Sequence, residues 1–112
     1  MAINSRAKGK AGELELARIL REKYGRDTRR GVQYHGGPDS PDVVGLPGIH
    51  IEVKRVEALN IDKAMQQAVK DSVRDESGAI PAVFHRKNRE QWKVTLLLDD
   101  FMKLYGGYES ER

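Results

Sequence analysis

Four residues in this chain have the types and the spacing for chemistry: Glu13, Asp42, Glu52 and Lys54. In Ile49-His50-Ile51-Glu52-Val53-Lys54 the apolar residues 49, 51 and 53 point to one face of a strand, which leaves His50, Glu52 and Lys54 on the other. Glu52 and Lys54 therefore stand side by side. Alone, such a pair is ordinary surface chemistry. Pro41-Asp42, however, lies ten residues upstream of Glu52, at the start of a segment that a short hairpin folds back beside it. Two carboxylates then converge at neighbouring strand ends. Oxygen ligands of this kind suit Mg²⁺, which keeps several waters and takes one or two carboxylates plus phosphate oxygens of a substrate. A lysine beside the ion could orient or deprotonate an attacking water and stabilise charge on a phosphorane.

Glu13 is an independent sign. At helical spacing it falls among Leu16, Ala17, Leu20 and Tyr24, whereas Glu15, Arg18 and Glu22 lie opposite. A carboxylate that faces a core is costly unless something pairs with it, so either a basic residue or a metal site is expected beside it.

The elements that must position these groups follow from periodicity. Ser5 to Tyr24 reads as one helix, with Leu14, Leu16, Ala17, Ile19, Leu20 and Tyr24 apolar and Gly25 closing it. Arg6, Lys8 and Lys10 crowd its start against the helix dipole, which a bound anion explains better than helix stability does. Thr28 to His35 reads as a strand that ends in the loop Gly36-Gly37-Pro38-Asp39-Ser40-Pro41. Asp42-Val43-Val44 and Ile49 to Arg55 flank Gly45-Leu46-Pro47-Gly48 as a hairpin. Asn60 can cap a second helix to about Val73, whose stripe is Ile61, Ala64, Met65, Ala68 and Val69. Ala79 to Phe84 and Trp92 to Leu98 read as strands joined by a basic link, and Asp99 or Asp100 could cap a short last helix to Tyr105 before a frayed end. The expected fold is α/β, a mixed central sheet flanked by helices in the order α-β-β-β-α-β-β-α, in one domain spanning 1–112.

Composition narrows the function. A 112-residue chain has a thin core that a second copy would reinforce. Absence of cysteine excludes disulfides and thiolate zinc sites, so a metal must be held by oxygen or imidazole. No apolar run has the length of a signal peptide core or a membrane span, which leads to the expectation of a soluble cytoplasmic protein. Net charge is +3, but residues 1–30 hold nine Lys or Arg against four Asp or Glu, and the remaining 82 hold eleven against thirteen. This local excess suits a phosphate-facing surface. Arg6, Lys8, Lys10, Arg29, Arg30, Arg55, Arg86 and Lys87 are the candidate phosphate contacts. No glycine-rich phosphate loop and no readable Ser/His/Asp triad is present.

Pro41-Asp42, nine intervening residues and Glu52-Val53-Lys54, behind a helix that carries Glu13 and ahead of the Asn60–Val73 helix, resemble the PD-(D/E)-x-K nuclease superfamily. Its core runs helix, three strands, helix, strand. Within it the small size, the basic Lys-Gly segment, the helix glutamate and the loop before the aspartate make residues 5–98 similar to the Holliday junction resolvase-like branch of archaea and some phages. The resemblance implies a restriction-endonuclease-like core and Mg²⁺-dependent cleavage of branched DNA, with Mn²⁺ able to substitute. It further implies that Glu13, Asp42 and Glu52 bind the ion, that the Val53 carbonyl adds a ligand and that Lys54 assists the nucleophile. A phage resolvase of this kind would act in recombination in the host cytoplasm as a homodimer. The run Leu96-Leu97-Leu98 with Phe101, Met102 and Leu104 exceeds the needs of one helix face and is the expected interface.

Some assignments stay open at this level. Asp39 follows a proline as Asp42 does, but Asp42 begins an apolar strand and is the better anchored of the two. Archaeal members carry a serine in the preceding loop, whereas Ser40 lies only two residues before Asp42, which leaves its role doubtful. Gln66 or Gln67 could serve the site from the second helix, or be ordinary surface residues. His35, His50 and His85 lack ligand spacing, although His50 shares the face of Glu52. Trp92 and Phe84 are expected in the core, and Tyr34 either there or on DNA. Other nuclease specificities (flap, nick or restriction-type) and a non-catalytic nucleic-acid-binding module remain alternatives. Against the latter, acidic groups near a phosphate repel it unless a cation intervenes.

Overall fold

The computed structural model describes residues 5–31, 41–75 and 78–111, with side chains from residue 8 onward. Helix α1 (Ser5–Tyr24) leads to strand β1 (Arg29–Arg30), then to the hairpin of β2 (Val43–Val44) and β3 (Ile49–Arg55). Helix α2 (Ile61–Asp75), strands β4 (Ile80–Arg86) and β5 (Lys93–Thr95) and helix α3 (Leu98–Ser110) complete the order. The strands form one sheet in the order β1-β2-β3-β4-β5. All neighbours are antiparallel except β3 and β4, which run parallel from Ile49 beside Ile80 to Arg55 beside Arg86. A parallel pair needs a crossover, and α2 supplies it. This is the mixed, helix-flanked α/β sheet expected from the sequence.

The crossover decides the environment of β3. On one side Leu16 and Ala17 of α1 pack against Val43, Ile51 and Val53. On the other, Ala64, Met65 and Ala68 of α2 pack against Val83 of β4. Strand β3 is thus buried on both faces, and His50 and Glu52, on the face away from Ile51 and Val53, are 0% and 7% exposed. Asn60 caps α2 through its Oδ1, which accepts the Lys63 N–H at 3.1 Å, in agreement with the sequence.

Helix α1 is rotated from the expected stripe. Leu14 and Tyr24, read as inward, are largely exposed. Glu15, read as outward, is turned towards the strands. Its carboxylate takes both Nε and Nη2 of Arg86 at 2.8 and 2.9 Å and the Trp92 indole N–H at 2.8 Å. Arg86 in turn lies 5.7 Å from the Trp92 ring centroid. A forked ion pair with an aromatic lid outweighs one helix face's preference for water. Trp92 and Phe84 are partly buried against the α1 side of the core.

Helix α3 also departs from expectation. It runs to Ser110 rather than Tyr105, because Gly106 and Gly107 keep helical backbone and do not adopt the left-handed conformation that ends helices. Its N-cap is Leu97, with no side-chain hydrogen bond, and Asp99 and Asp100 sit in the first turn, where they favour the dipole. The strand expected over Thr28–His35 is described only at Arg29–Arg30. Thr28 and Gly31 flank that strand without joining it, and residues 32–40, with Tyr34, His35, Asp39 and Ser40, lie outside the described residues.

The Glu15 cluster yields a stability prediction. Its hydrogen bond from Arg86, opposed by burial and aided by Trp92, holds the Glu15 carboxyl below its ordinary 4.5. A lowered acid stabilises the fold fully above that ordinary value, and the contribution is lost as pH falls through the depressed one. Glu15→Gln is expected to cost about 2–4 kcal/mol in urea unfolding at neutral pH. Its deficit relative to the parent protein should shrink below pH 4.5.

Candidate active site

Asp42 is fixed from three directions by the backbone around it. Its N–H donates to the Ile51 carbonyl at 2.8 Å, its carbonyl accepts the Gly31 N–H at 2.8 Å, and its Oδ2 accepts the Val53 N–H at 2.8 Å. The approach of the chain at Gly31 is close enough that any Cβ there would collide with the Pro41 carbonyl oxygen. Asp42 is therefore locked between β1 and β3, with its carboxyl over the strand that carries Glu52.

Glu52 lies on the α2 side of β3. Its Oε1 is 3.1 Å from His50 Nε2, and its carboxyl stands beside that of Asp42. Burial, followed by the charge of Glu52, pushes the Asp42 carboxyl up to about 7, against the opposing Val53 N–H and Lys54 ammonium. Two desolvated carboxyls in contact cannot both be ionised cheaply without a cation.

Glu13 reaches the same place from α1. Gly12 permits this, since a Cβ there would stand 2.9 Å from Arg55 Cβ on β3. Glycine within a helix costs about 1 kcal/mol relative to alanine, and here it lets α1 lie close to the strand. Burial and the neighbouring Asp42 raise the Glu13 carboxyl, while Arg30 and Lys54 oppose. Of the two alternatives expected beside a core-facing Glu13, the structure shows the basic residue: Arg30 Nε donates to it at 2.7 Å, with Asp42 near enough to raise it.

Glu13, Asp42, Glu52 and Lys54 line one cleft of about 540 Å³, with Lys8 at its edge. Among the described residues no three acidic or imidazole groups stand in the arrangement that encloses an ion. Each carboxylate is turned to another partner: Glu13 to Arg30, Glu52 to His50, Asp42 to the Val53 N–H. The donor set nonetheless suits a hard divalent cation, because all of its side-chain ligands are oxygen and the raised Asp42 marks an electrostatic demand for positive charge. For Val53, the structure shows its N–H engaged by Asp42.

Of the other residues singled out, Gln67 donates to Asp71 at 2.8 Å and lines a groove that Lys54 also lines, whereas Gln66 lines a separate groove with Met65 and Leu96. Arg86 is engaged by Glu15, and Arg55 Nε lies 3.9 Å from the same carboxylate, so both cations have an internal acidic partner. Arg30 is neutralised by Glu13. Lys10, Arg29 and Lys87 are exposed, Lys8 is half-buried at the cleft, and the side chain of Arg6 is outside the described residues. Sequence reasoning missed the burial of His50, the inward turn of Glu15 and the Arg30–Glu13 pair. Only the first had a signal: a parallel strand followed by a crossover helix is covered on both faces.

Comparisons with known proteins agree with this geometry. A family profile described as "Phage putative PDDEXK endonuclease" matches residues 4–111. Among solved structures, the chain is similar to Hjc of Archaeoglobus fulgidus, a Holliday junction resolvase from an archaeal hyperthermophile. The two share 26% sequence identity with a TM-score of 0.53, over 75% of this chain and 72% of that one. A search of curated proteins gave no match. No helix among the described residues is long and apolar enough to cross a membrane.

Asp42 also sets a pH dependence. An acid whose folded value is raised binds protons more tightly folded than unfolded, so stability falls as pH rises from the ordinary 3.8 to about 7. Asp42→Asn should stabilise the cation-free protein at neutral pH by on the order of 1 kcal/mol or more. It should also flatten the decline in urea midpoint between about pH 4 and 7, as measured by denaturant titration across that range.

Proposed function

The chain belongs to the phage PDDEXK endonuclease family, and from that premise we propose that it is a Mg²⁺-dependent endonuclease acting on branched DNA, with Mn²⁺ able to substitute. The observation that carries the reading is the gathering of Glu13, Asp42, Glu52 and Lys54 from three separate elements into one cleft. The bound ion would supply a Lewis acid for the scissile phosphate and a water of lowered pKa.

The chain's own residues divide the remaining work. Asp42, held by the Val53 N–H, and Glu52, on β3, would hold the ion, and Glu13, paired with Arg30 in this structure, would add to its acidic surroundings. Lys54 follows Glu52 on the same strand face, so its ammonium is placed to hold the attacking water and to stabilise the charge that grows on the phosphorane oxygens. Lys8, Lys10, Arg29 and Lys87 hold the backbone of the DNA, and Arg30 can turn to a phosphate when it leaves Glu13.

Branched DNA is favoured by the likeness to an archaeal Holliday junction resolvase. Paired cuts in a four-way junction call for two sites related by a two-fold axis, which a homodimer presents. Helix α3 supports this: none of its residues is buried, and Leu98, Phe101, Met102 and Leu104 are between 46% and 72% exposed. Phe101 stacks on Tyr105 at 6.3 Å along the same helix. An apolar surface of this extent is expected to be covered by a second copy. A phage enzyme of this kind acts on recombining DNA in the cytoplasm of the bacterial host.

Cleavage of a labelled four-way junction should require Mg²⁺ or Mn²⁺ and stop in EDTA. Asp42→Asn, Glu52→Gln and Lys54→Ala should each lower the rate roughly a hundredfold or more, with junction binding largely kept. Unchanged cutting by Lys54→Ala, or cutting in EDTA, contradicts the mechanism. Equal rates on flap, nicked and linear duplex would leave the chemistry and remove the substrate preference. Sedimentation should give a dimer at micromolar concentration, and replacing both Phe101 and Met102 by Glu should give a folded monomer.

A further inference from the structure

Strand β3 carries one polar side chain whose burial the cleavage chemistry does not use. His50 is completely buried beneath α2, at a position where an aliphatic residue would pack without any desolvation cost. Its Nε2 lies 3.1 Å from Glu52 Oε1. Its Nδ1 lies 3.7 Å from Asp75 Oδ2 at the end of α2, too far for a hydrogen bond, and has no hydrogen-bond partner among the described residues. Glu52 is thus the hydrogen-bonding partner that accounts for a buried imidazole here.

We infer that His50 is a positioning residue for Glu52: it donates its Nε2 proton to Oε1 and so fixes the rotation of the carboxylate that faces Asp42 and the cleft. An ionised carboxylate only accepts hydrogen bonds, so the ring nitrogen facing it must carry the proton. With Oε1 engaged, the carboxylate cannot spin freely about its last bond, and its remaining lone pairs keep one direction. Partners of this sort behind a metal ligand change metal affinity by about 10–100-fold when removed. Because Glu52 and Asp42 line one cleft, a Glu52 carboxylate free to rotate would turn its lone pairs away from the place where both would face a cation. This inference rests on the reading of Glu52 as an ion ligand.

The test uses the full chain and Mn²⁺ alone, without DNA. In the metal-free parent protein, two-dimensional ¹⁵N–¹H spectra of the imidazole should show His50 with Nε2 protonated. Calorimetric titration with Mn²⁺ should show binding weakened about tenfold or more in His50→Leu, and within about threefold of the parent in His50→Gln, which keeps a side-chain N–H donor. A role confined to packing predicts the opposite order, since leucine fills the apolar surroundings better than glutamine does. Parent-like Mn²⁺ affinity in a folded His50→Leu, when Glu52→Gln has lost it, overturns the inference and leaves the ion site standing. Parent-like affinity in Glu52→Gln instead removes Glu52 as a ligand, and the role of His50 with it. Should His50→Leu fail to fold, the ring spectrum decides alone, and an imidazole protonated on Nδ1 with Nε2 bare overturns the inference.

Discussion

Strand β3 is covered by a helix on each side, and a strand so placed can carry charge only where something answers it. Its alternation puts Ile51 and Val53 towards α1 and His50, Glu52 and Lys54 on the other face, where the acid and the imidazole are withdrawn from bulk water and Lys54 is half-buried at the cleft. What answers them is local: His50 for Glu52, the Val53 N–H for Asp42, Arg30 for Glu13. These contacts neutralise only part of the charge. Asp42 and Glu52 still face each other, and burial followed by the charge of Glu52 shifts Asp42 towards neutrality. The same low-dielectric setting strengthens the attraction of the cluster for a divalent ion.

Two neighbouring positions in the middle of α1 show opposite uses of a carboxylate. Glu15, two residues after Glu13, meets a forked arginine and an indole donor and is held ionised, which ties α1 to β4 and the start of β5. Glu13 meets one arginine and a pair of acids and is pushed towards its protonated form. One side chain holds the fold together and the other loads it with strain that a ligand can relieve. Gly12 and Gly31 belong to the second group, since each gives up local stability so that the backbone can bring Glu13 and Asp42 close to β3.

Much of this could be read from the sequence where local rules decide. The Val43–Val44 and Ile49–Arg55 hairpin, the Asn60 cap, the crossover helix and the meeting of Asp42 with Glu52 follow from turn chemistry, capping and two-residue alternation, all of them short-range. What escaped depends on partners distant in the chain. Arg86 is 71 residues from Glu15, and Arg30 is 17 from Glu13, so neither pairing leaves a pattern in the sequence. Isolated basic residues were read as phosphate contacts because their internal partners could not be seen. The length of α3 escaped for another reason: Gly106-Gly107 signals a stop, yet neither glycine takes the backbone conformation that stops a helix.

The central claim is that one divalent cation is held where Asp42, Glu52 and Glu13 converge. Mn²⁺ is paramagnetic, so substoichiometric addition to ¹⁵N-labelled protein reports the location of the ion directly, through loss of backbone amide signals nearby. The expected result is broadening centred on Asp42 and Glu52 to Lys54, extending to Gly12 and Glu13 across the cleft, and reversed by EDTA. Broadening centred on another acidic group, such as Asp99 and Asp100 at the start of α3, with the 42–54 hairpin unaffected, would contradict it.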